Sequence, residues 1–586
     1  MKLIRKNKQH ISLRFKILTA AILAGLLLLL FLCTFWTYPF KPDYIALAKS
    51  NELESPVASA PGGFYAEPFA VQLTAPTPGT VIYYTVDGSE PTLLSAVYKH
   101  PFVINIKDEA NFLSLIPTSP RWAPPVGDVF KGTVLRAIAV KDFAKSKELM
   151  RTFFVDPKGP ARYTLPVVSV IVDYKDFFGY NKGIYVLGKS YGDKDNYIRK
   201  NISLDLPWWE YPSNYLDRGN DAERDAHIEL YEPGGKPGFE ANVGVRINGN
   251  ATRGYAQKSL RINFREKYGA TSLDYQLFPD NPVHTFNSFI LRNSGNDWDK
   301  TMFRDGLIQS LMKNEHVDIQ ADRSAVVFIN GEYWGIHNIR ERFDENYLAN
   351  KYHIAADSLC ILELNGVLSH GKKGDNEGFK ELLEFVQKHD LSQQQNYEEV
   401  NSKIDIQSFI DFLAVNIYFC NSDWPNNNVK FWHYKTAEIN DTAGCRDGRW
   451  RWMLYDTDWG FGYNTASIPS VNLLEKAEQT GSVGILFAAL IKNKSFVDAF
   501  IQRFQYLIDH QFSTSYLLTE VNRMQGVMAP EMREHINRWR VIGSYGQWLD
   551  NVDVLRDFAK RRPQLQADQL NTFFKRTGNN RIIVKN

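Results

Sequence analysis

Cysteine is scarce in this sequence, with four residues in 586, and this excludes a small fold built on disulfide bonds. No Cys-x-x-Cys pair occurs, which argues against a structural zinc site of that kind. An excess of charge is also lacking, because 68 Lys and Arg residues against 66 Asp and Glu residues give +2. A nucleic-acid partner is therefore not expected. At 44% hydrophobic and 23% charged residues, the composition is that of a globular protein, and the length predicts about four domains or fewer large ones.

Long apolar runs are rare too, and the one clear example is at the N-terminus. Residues 1–16 are basic without any acid, and Ile17–Trp36 contains no charge. At about 1.5 Å per residue this stretch spans the roughly 30 Å of a bilayer core. We predict a cytoplasmic segment at 1–16 and a transmembrane signal anchor at 17–38, with the rest of the chain outside a bacterial cytoplasmic membrane. A cleaved signal peptide is the alternative, but the stretch is long and lacks a small-residue cleavage site.

A linker at 39–60 is predicted to lead into a small all-β sandwich at 61–156. Short alternating segments (FAVQLTA, VIYYTVDG, TVLRAIAVK and LMRTFFV) separated by turn signals are typical of such a fold. The segment Tyr83–Thr92, YYTVDGSEPT, resembles the module at the C-terminus of chitobiases and β-hexosaminidases. That resemblance implies an accessory domain, acting either as a spacer from the membrane or in contact with a glycan.

Residues 160–586 form the second predicted domain, of α+β class. LPVVSVIVD and KGIYVLG are predicted to be strands, and two further strands are predicted to pair across ATRGYAQ. Apolar residues at helical spacing predict a helix within 299–314. Asn330-Gly331 predicts a tight hairpin, and helices are expected to dominate after Gly378.

The first candidate for chemistry is GVRINGNATRGYAQKSLRINF, residues 244–264, which contains both of those paired strands and the turn between them. Arg253 and Lys258 flank a glycine-containing turn, and cations beside free backbone N–H groups can cradle a phosphate. Tyr255 stands where a Walker A loop would need lysine, so this is not that motif. A solvated hairpin without function is the alternative interpretation.

The second candidate is NSDWPNNNVK, where Asp423 and Asn428 have the spacing of the base and the metal-binding amide in a protein-kinase catalytic loop. Such a base accepts the proton of the acceptor hydroxyl, while the amide oxygen ligates the cation. The alternative is an Asx-rich turn at a helix end, because Asp and Asn favour such turns without any catalytic role.

The third candidate is WMLYDTDWGFG, which we predict to be a strand with Asp456 and Asp458 on one face. Two carboxylates on one face can bind one cation, and Asp458-Trp459-Gly460 is an Asp-aromatic-Gly triplet of the kind that holds Mg²⁺ in kinases. A calcium loop is the alternative, but the acidic residue that would complete it after Gly462 is missing.

Residues from about 165 to 575 resemble the CotH-type atypical kinases, first described as spore-coat proteins. The segments that carry the resemblance occur in the family's order: LPVVSVIVD, GIYV, VRINGNATRGYAQKSLRINF, LRNSGNDWDKTMFRDGLIQSL, VVFINGEYWGIHNIRERFDENYL and WMLYDTDWGFG. The resemblance implies a kinase-like two-lobed domain with ATP and Mg²⁺ (or Mn²⁺) as cofactors. It also implies residue roles: Lys258 and Arg253 on nucleotide phosphates, Glu341 lining the nucleotide pocket, Asp423 as base, and Asn428, Asp456 and Asp458 as metal ligands.

Together these features predict a membrane-anchored atypical protein kinase that transfers phosphate from ATP to Ser or Thr of a surface or envelope protein. The alternative is a non-catalytic adhesin or envelope assembly factor on the same scaffold. A glycan hydrolase is a third hypothesis, suggested by the hexosaminidase-type module. It is disfavoured because hydrolysis needs two carboxylates on opposite sides of a sugar, whereas Asp456 and Asp458 are predicted to share a face.

Overall fold

The computed structural model describes residues 53–193, 206–436 and 441–575. The predicted cytoplasmic segment at 1–16 and the predicted anchor at 17–38 lie outside these ranges. Within the ranges, no helix has both the length and the apolar composition needed to cross a bilayer. The predicted linker is described only from residue 53, and Val57–Ala58 already pairs with Leu73–Thr74. The N-terminal β region therefore starts within the predicted linker.

The N-terminal region is entirely β apart from one short 3₁₀ turn. Its main sheet has the strand order β2-β10-β8-β5-β6, with β9 added to β8, while β1 pairs with β4 and β3 with β7. The four alternating segments predicted from the sequence all form strands. The bounds are β1 Val57–Ala58, β2 Gly63–Tyr65, β3 Phe69–Val71, β4 Leu73–Thr74, β5 Val81–Thr85, β6 Ala96–Val97, β7 Phe102–Ile104, β8 Thr133–Lys141, β9 Ala144–Lys145 and β10 Leu149–Val155.

A closed β-barrel follows, with the strand order β11-β12-β13-β14-β17-β19-β18. Parallel pairing of β11 with β18 closes it, and alternate residues point into an apolar interior. The barrel strands are β11 Val167–Val172, β12 Arg224–Glu232, β13 Lys236–Asn248, β14 Ser259–Asn263, β17 Ser288–Arg292, β18 Asp322–Ile329 and β19 Glu332–Glu341. A separate two-stranded sheet is formed by β15 Leu273–Asp274 and β16 Thr285–Phe286.

The C-terminal part is mainly helical and packs around a four-stranded sheet of order β21-β20-β22-β23. These strands are β20 Leu359–Glu363, β21 Val367–His370, β22 Lys430–Tyr434 and β23 Arg451–Met453. The α-helices are α1 Tyr174–Phe177, α2 Gly188–Gly192, α3 Arg304–Leu311, α4 Glu345–Tyr352, α5 Glu377–Lys388, α6 Gln394–Lys403, α7 Ile406–Tyr418, α8 Leu474–Gln479, α9 Gly481–Leu490, α10 Lys494–Asp509, α11 Thr514–Trp539 and α12 Tyr545–Lys575.

The structure is thus mixed α+β with an all-β N-terminal region, as the sequence predicts at that level. The strands flanking ATRGYAQ pair as predicted, and Asn330 and Gly331 form the predicted hairpin turn with φ of 44° and 81°. The strand predicted for KGIYVLG is wrong. Ile184 and Tyr185 are buried, but their N–H groups donate to the carbonyls of Asp176 and Phe177, so the segment is a packed loop.

Candidate active site

Four of the predicted site residues meet in one place, although they come from two distant segments. Asn428 Nδ2 donates to Asp423 Oδ2 and to the carbonyl of Asp456, each at 3.0 Å. Arg292 Nη2 donates to Asp456 Oδ1 at 2.6 Å and to Asp458 Oδ2 at 2.7 Å. We call these five residues (Arg292, Asp423, Asn428, Asp456 and Asp458) the carboxylate cluster.

Loops rather than strands present these side chains. Asp423 lies in the loop after α7, and β23 ends at Met453, before either aspartate of the third segment. Asn428 and Asp456 have positive φ, 61° and 55°, a conformation that Asn and Asp tolerate better than most residues. The prediction of a strand carrying both acids is therefore wrong. Both carboxylates nevertheless contact the guanidinium group of Arg292, because the chain turns at Asp456.

Asp458 is the buried member of the cluster. Its side chain is 1% exposed, whereas that of Asp456 is 35% exposed. Burial first, and then the charge of Asp456, raise the pKa of Asp458 well above its usual range, against the effect of Arg292. Asn296 holds the carboxylate through its backbone N–H at 2.9 Å and its Nδ2 at 3.2 Å. Of the two carboxylates on Arg292, that of Asp456 is thus accessible to solvent and that of Asp458 is enclosed.

The turn that contributes Asn296 fits tightly against the cluster. Gly295 has a φ of +61°, and a Cβ at this position would lie 2.1 Å from Asp458 Oδ2 and 2.3 Å from Arg292 Nη2. Only glycine gives both the left-handed backbone and the space. The close approach is what brings the N–H of Asn296 onto Asp458.

Arg292, at the end of β17, is a site residue that sequence reasoning missed. Its Nε lies 4.0 Å from Asp305 Oδ2, and Asp305 also pairs with Arg340, which reaches Asp322 at 3.1 Å. Burial opposes ionisation of Asp305, but Arg340 and Arg292 outweigh it and hold the pKa of this carboxyl below its usual range. A chain of ion pairs of alternating charge therefore connects α3 and the barrel strands to the carboxylate cluster.

The structure does not place Lys258 or Arg253 where a phosphate could contact them. Lys258 is fully buried, and its Nζ donates to the carbonyls of Arg253 at 2.7 Å and Tyr255 at 2.8 Å. The same ammonium lies 3.7 Å from the ring centre of Tyr215, and burial lowers its pKa well below the usual value. Arg253 donates to the carbonyls of Ile247, Tyr215 and Asp217. Both side chains stabilise the loop between β13 and β14 by hydrogen bonds to backbone carbonyls, and they do not face the carboxylate cluster.

That loop still reaches the cluster indirectly. The hydroxyl of Tyr255 donates to Asn296 Oδ1 at 2.8 Å, and Asn296 in turn holds Asp458. The ring of Tyr255 stacks between Trp208 and Trp298, with centroid distances of 5.9 and 5.3 Å. Lys258, which donates to the carbonyl of Tyr255, is thus a positioning residue for the stacked rings of Trp208, Tyr255 and Trp298 beside the carboxylate cluster.

Replacing Lys258 by methionine tests this placement. We expect the free energy of unfolding to fall by about 1–3 kcal/mol, because two buried carbonyls lose their donor, while calorimetric titration with ATP gives the same result as for wild type. Lys236→Met, on an exposed side chain of β13, is the control and should change neither quantity. A stable Lys258→Met variant that has lost nucleotide binding would show that the lysine contacts phosphate after all.

Glu341 lies apart from the carboxylate cluster. It accepts from Asn281 Nδ2 at 3.0 Å and from the N–H of Ala321 at 2.8 Å, and burial raises its pKa to about 7. It lines a cavity of about 700 Å³ together with Asp322 and Tyr347. Lys258, which the resemblance places on the nucleotide phosphates, does not line this cavity. The link between this cavity and the cluster is Arg340, the neighbour of Glu341, through Asp305.

The oxygen donors of the cluster suit a hard divalent cation. One cationic atom, Arg292 Nη2, already lies within 2.7 Å of an oxygen of both Asp456 and Asp458, so the two carboxylates can share one cation. Asn428 uses its amide N–H groups on Asp423 and Asp456, which leaves the amide oxygen as its ligand atom. Carboxylate and amide oxygens are the ligands that Mg²⁺ accepts in proteins. The residues therefore fit Mg²⁺ or Mn²⁺.

Comparison with known families covers both parts of the chain. Residues 245–565, more than half of the sequence, match the family model described as CotH kinase protein. Residues 60–116 match the model described as chitobiase/beta-hexosaminidase C-terminal domain. The search of curated proteins found no match. All members of the carboxylate cluster lie inside the first matched range, and the order of the two matches is the one that the sequence motifs indicate.

Proposed function

The chain belongs to the CotH kinase protein family, and we propose that it is a membrane-anchored protein kinase that transfers the γ-phosphoryl group of ATP to Ser or Thr of a surface or envelope protein. The observation that carries the proposal is the carboxylate cluster. A candidate base, Asp423, and two candidate metal ligands, Asp456 and Asp458, meet through Asn428 and Arg292.

The arrangement supports a kinase-like two-lobed domain. Arg292 belongs to the barrel, which we assign as the first lobe, while Asp423 and Asp458 come from the helical part, which we assign as the second. Phosphoryl transfer needs little covalent chemistry from the protein and depends on positioning and charge neutralisation. A cluster at the junction of two lobes supplies both.

Asp423 would accept the proton of the acceptor hydroxyl. Asn428 Nδ2 holds one carboxylate oxygen at 3.0 Å, and Asn427 Nδ2 holds the other at 2.8 Å, so the carboxylate is oriented from two sides. Asp456 and Asp458, with the amide oxygen of Asn428, would hold Mg²⁺ or Mn²⁺, which when bound neutralises negative charge on the phosphates. Arg292 lies against the same carboxylates and limits their mutual repulsion.

A transfer assay tests the proposal. The purified full chain is incubated with labelled ATP, Mg²⁺ and an envelope extract, beside Asp458→Ala and the exposed control Asp390→Asn. We expect label on protein with wild type and control, and none with Asp458→Ala. Equal background labelling by all three proteins would contradict the enzymatic proposal.

The position of Lys258 and Arg253 favours one alternative, a non-catalytic adhesin or envelope assembly factor. Neither cation faces the cluster, so the phosphate contacts implied by the family resemblance lack these donors. Calorimetry with ATP and Mg²⁺ separates the two functions. Absence of nucleotide binding together with measurable binding of a glycan to the N-terminal sandwich would favour the adhesin.

A further inference from the structure

Outside the carboxylate cluster, four polar side chains share one face of the β12–β13 pair. His227 pairs in register with Asn242, and Glu229 pairs with Glu240. Because alternate residues of a strand point to the same side, these four side chains lie together on the outer surface of the barrel. This face meets β10 of the N-terminal sandwich: the N–H of Thr152 donates to Glu229 Oε1, and Arg151 pairs with Glu240 at 2.6 Å.

Two atoms of this group are buried without a hydrogen-bond partner among the described residues, namely His227 Nε2 and Glu229 Oε2. His227 is 8% exposed and Glu229 is 2% exposed. Unpartnered buried polar atoms are rare in native proteins, because each costs the free energy of its desolvation. One ligand atom from each of His227, Glu229 and Glu240 lies within 4.8 Å of the others. The three ligand atoms are thus close enough together for one ion to lie among them.

The hydrogen bond on the other side of the imidazole fixes its protonation. His227 Nδ1 lies 2.8 Å from Asn242 Oδ1, and because an amide oxygen can only accept, Nδ1 carries the proton and Nε2 presents its lone pair. Metal-binding histidines are usually oriented by such a bond from the second ring nitrogen.

We propose that His227, Glu229 and Glu240 bind a divalent transition-metal ion, zinc in the first place, at the seam between the sandwich and the barrel. Zinc is bound in proteins by histidine nitrogen and by Asp or Glu oxygen, whereas Mg²⁺ prefers oxygen ligands alone. Glu229 and Glu240 supply two carboxylates, one of which is already paired with Arg151. The side chain of Glu240 is 49% exposed, which gives the ion access from solvent. Thr152 of β10 already donates to Glu229 of the barrel. An ion bound to Glu229 would therefore strengthen the contact between β10 and the barrel.

Metal titration of the full chain, after removal of bound metal with a chelator, tests the site. We expect one equivalent of Co²⁺ to bind with visible d–d absorption and to be displaced by Zn²⁺, and we expect Zn²⁺ to raise the unfolding temperature. Glu240→Gln and His227→Ala should abolish the spectrum and the temperature rise. Asn242→Ala, which only orients the imidazole, should weaken binding by about 10–100-fold.

The two metal sites are separated by a second set of variants. Asp456→Asn and Asp458→Asn should leave the Co²⁺ spectrum intact, and Glu240→Gln should leave phosphoryl transfer intact. Because Glu240 is half exposed, its substitution keeps the test valid even if His227→Ala does not fold. Absence of Co²⁺ binding, binding unchanged in Glu240→Gln, or binding lost with Asp456→Asn would each overturn the proposal.

Discussion

Asp423→Asn is expected to lower the rate of phosphoryl transfer by about 10²–10⁴-fold, the usual contribution of a positioned general base. An amide has nearly the same shape as the carboxylate but cannot take the proton of the acceptor hydroxyl. ATP affinity should stay close to that of wild type, because in this structure Asp423 contacts Asn427 and Asn428 and not the Asp456–Arg292–Asp458 group directly. The measurement is kcat with labelled ATP, with affinity determined in parallel by calorimetry.

The loop itself supplies a matched control for this prediction. Asn426 and Asn428 are two positions apart, but Asn426 is exposed, whereas Asn428 joins Asp423 to the backbone of Asp456. Asn426→Ala should be as active as wild type, and Asn428→Ala should lose activity because the base and the metal ligands lose their shared contact. Equal rates for Asp423→Asn and wild type would assign the base to another residue.

The parts of the site that the sequence predicts well are those encoded within short segments. Asp423 and Asn428 lie in one loop, and Asp456 and Asp458 in another, so spacing alone identifies each pair. Their meeting depends on the backbone bonds that join the two loops, such as Phe461 N to the carbonyl of Phe419 at 2.6 Å. That the two loops meet could be expected only from the order of the kinase motifs along the chain and not from the sequence of either segment.

Arg292 and Lys258 show why the rest could not be predicted. Asp456 and Asp458, which Arg292 contacts in the cluster, lie more than 160 positions further along the chain, and an arginine at a strand end carries no local signal for them. A lysine in a basic hairpin has the pattern of a solvated or phosphate-binding residue. Its burial becomes apparent only when Tyr215 and the carbonyl of Arg253 are placed around it. The roles of both residues are set by tertiary contacts, which the local sequence does not indicate.

Removing Arg292 should have the largest effect on stability. Arg292→Met keeps much of the packing volume but leaves Asp458, whose side chain is 1% exposed, without its cation. Breaking a buried pair in this way typically costs about 3–5 kcal/mol, because the remaining charge is uncompensated. Arg561→Met on α12, whose side chain is 56% exposed, is the control and should cost less than about 1 kcal/mol.

The pH dependence identifies the charge responsible. The pKa of Asp458 is already raised in the folded protein, and loss of Arg292 raises it further. A carboxyl with a raised folded pKa destabilises the protein progressively as pH rises from the unfolded pKa, about 4, to the folded pKa. The loss caused by Arg292→Met should therefore be larger at pH 8 than at pH 5 in urea unfolding. Adding Asp458→Asn should recover part of that loss, because the neutral amide needs no cation whereas Asp456 and Asp305 still lack Arg292, and a double-mutant cycle measures the coupling. A loss that is equal at both pH values and not recovered in the double variant would mean that Arg292 stabilises the fold by packing and not through Asp458.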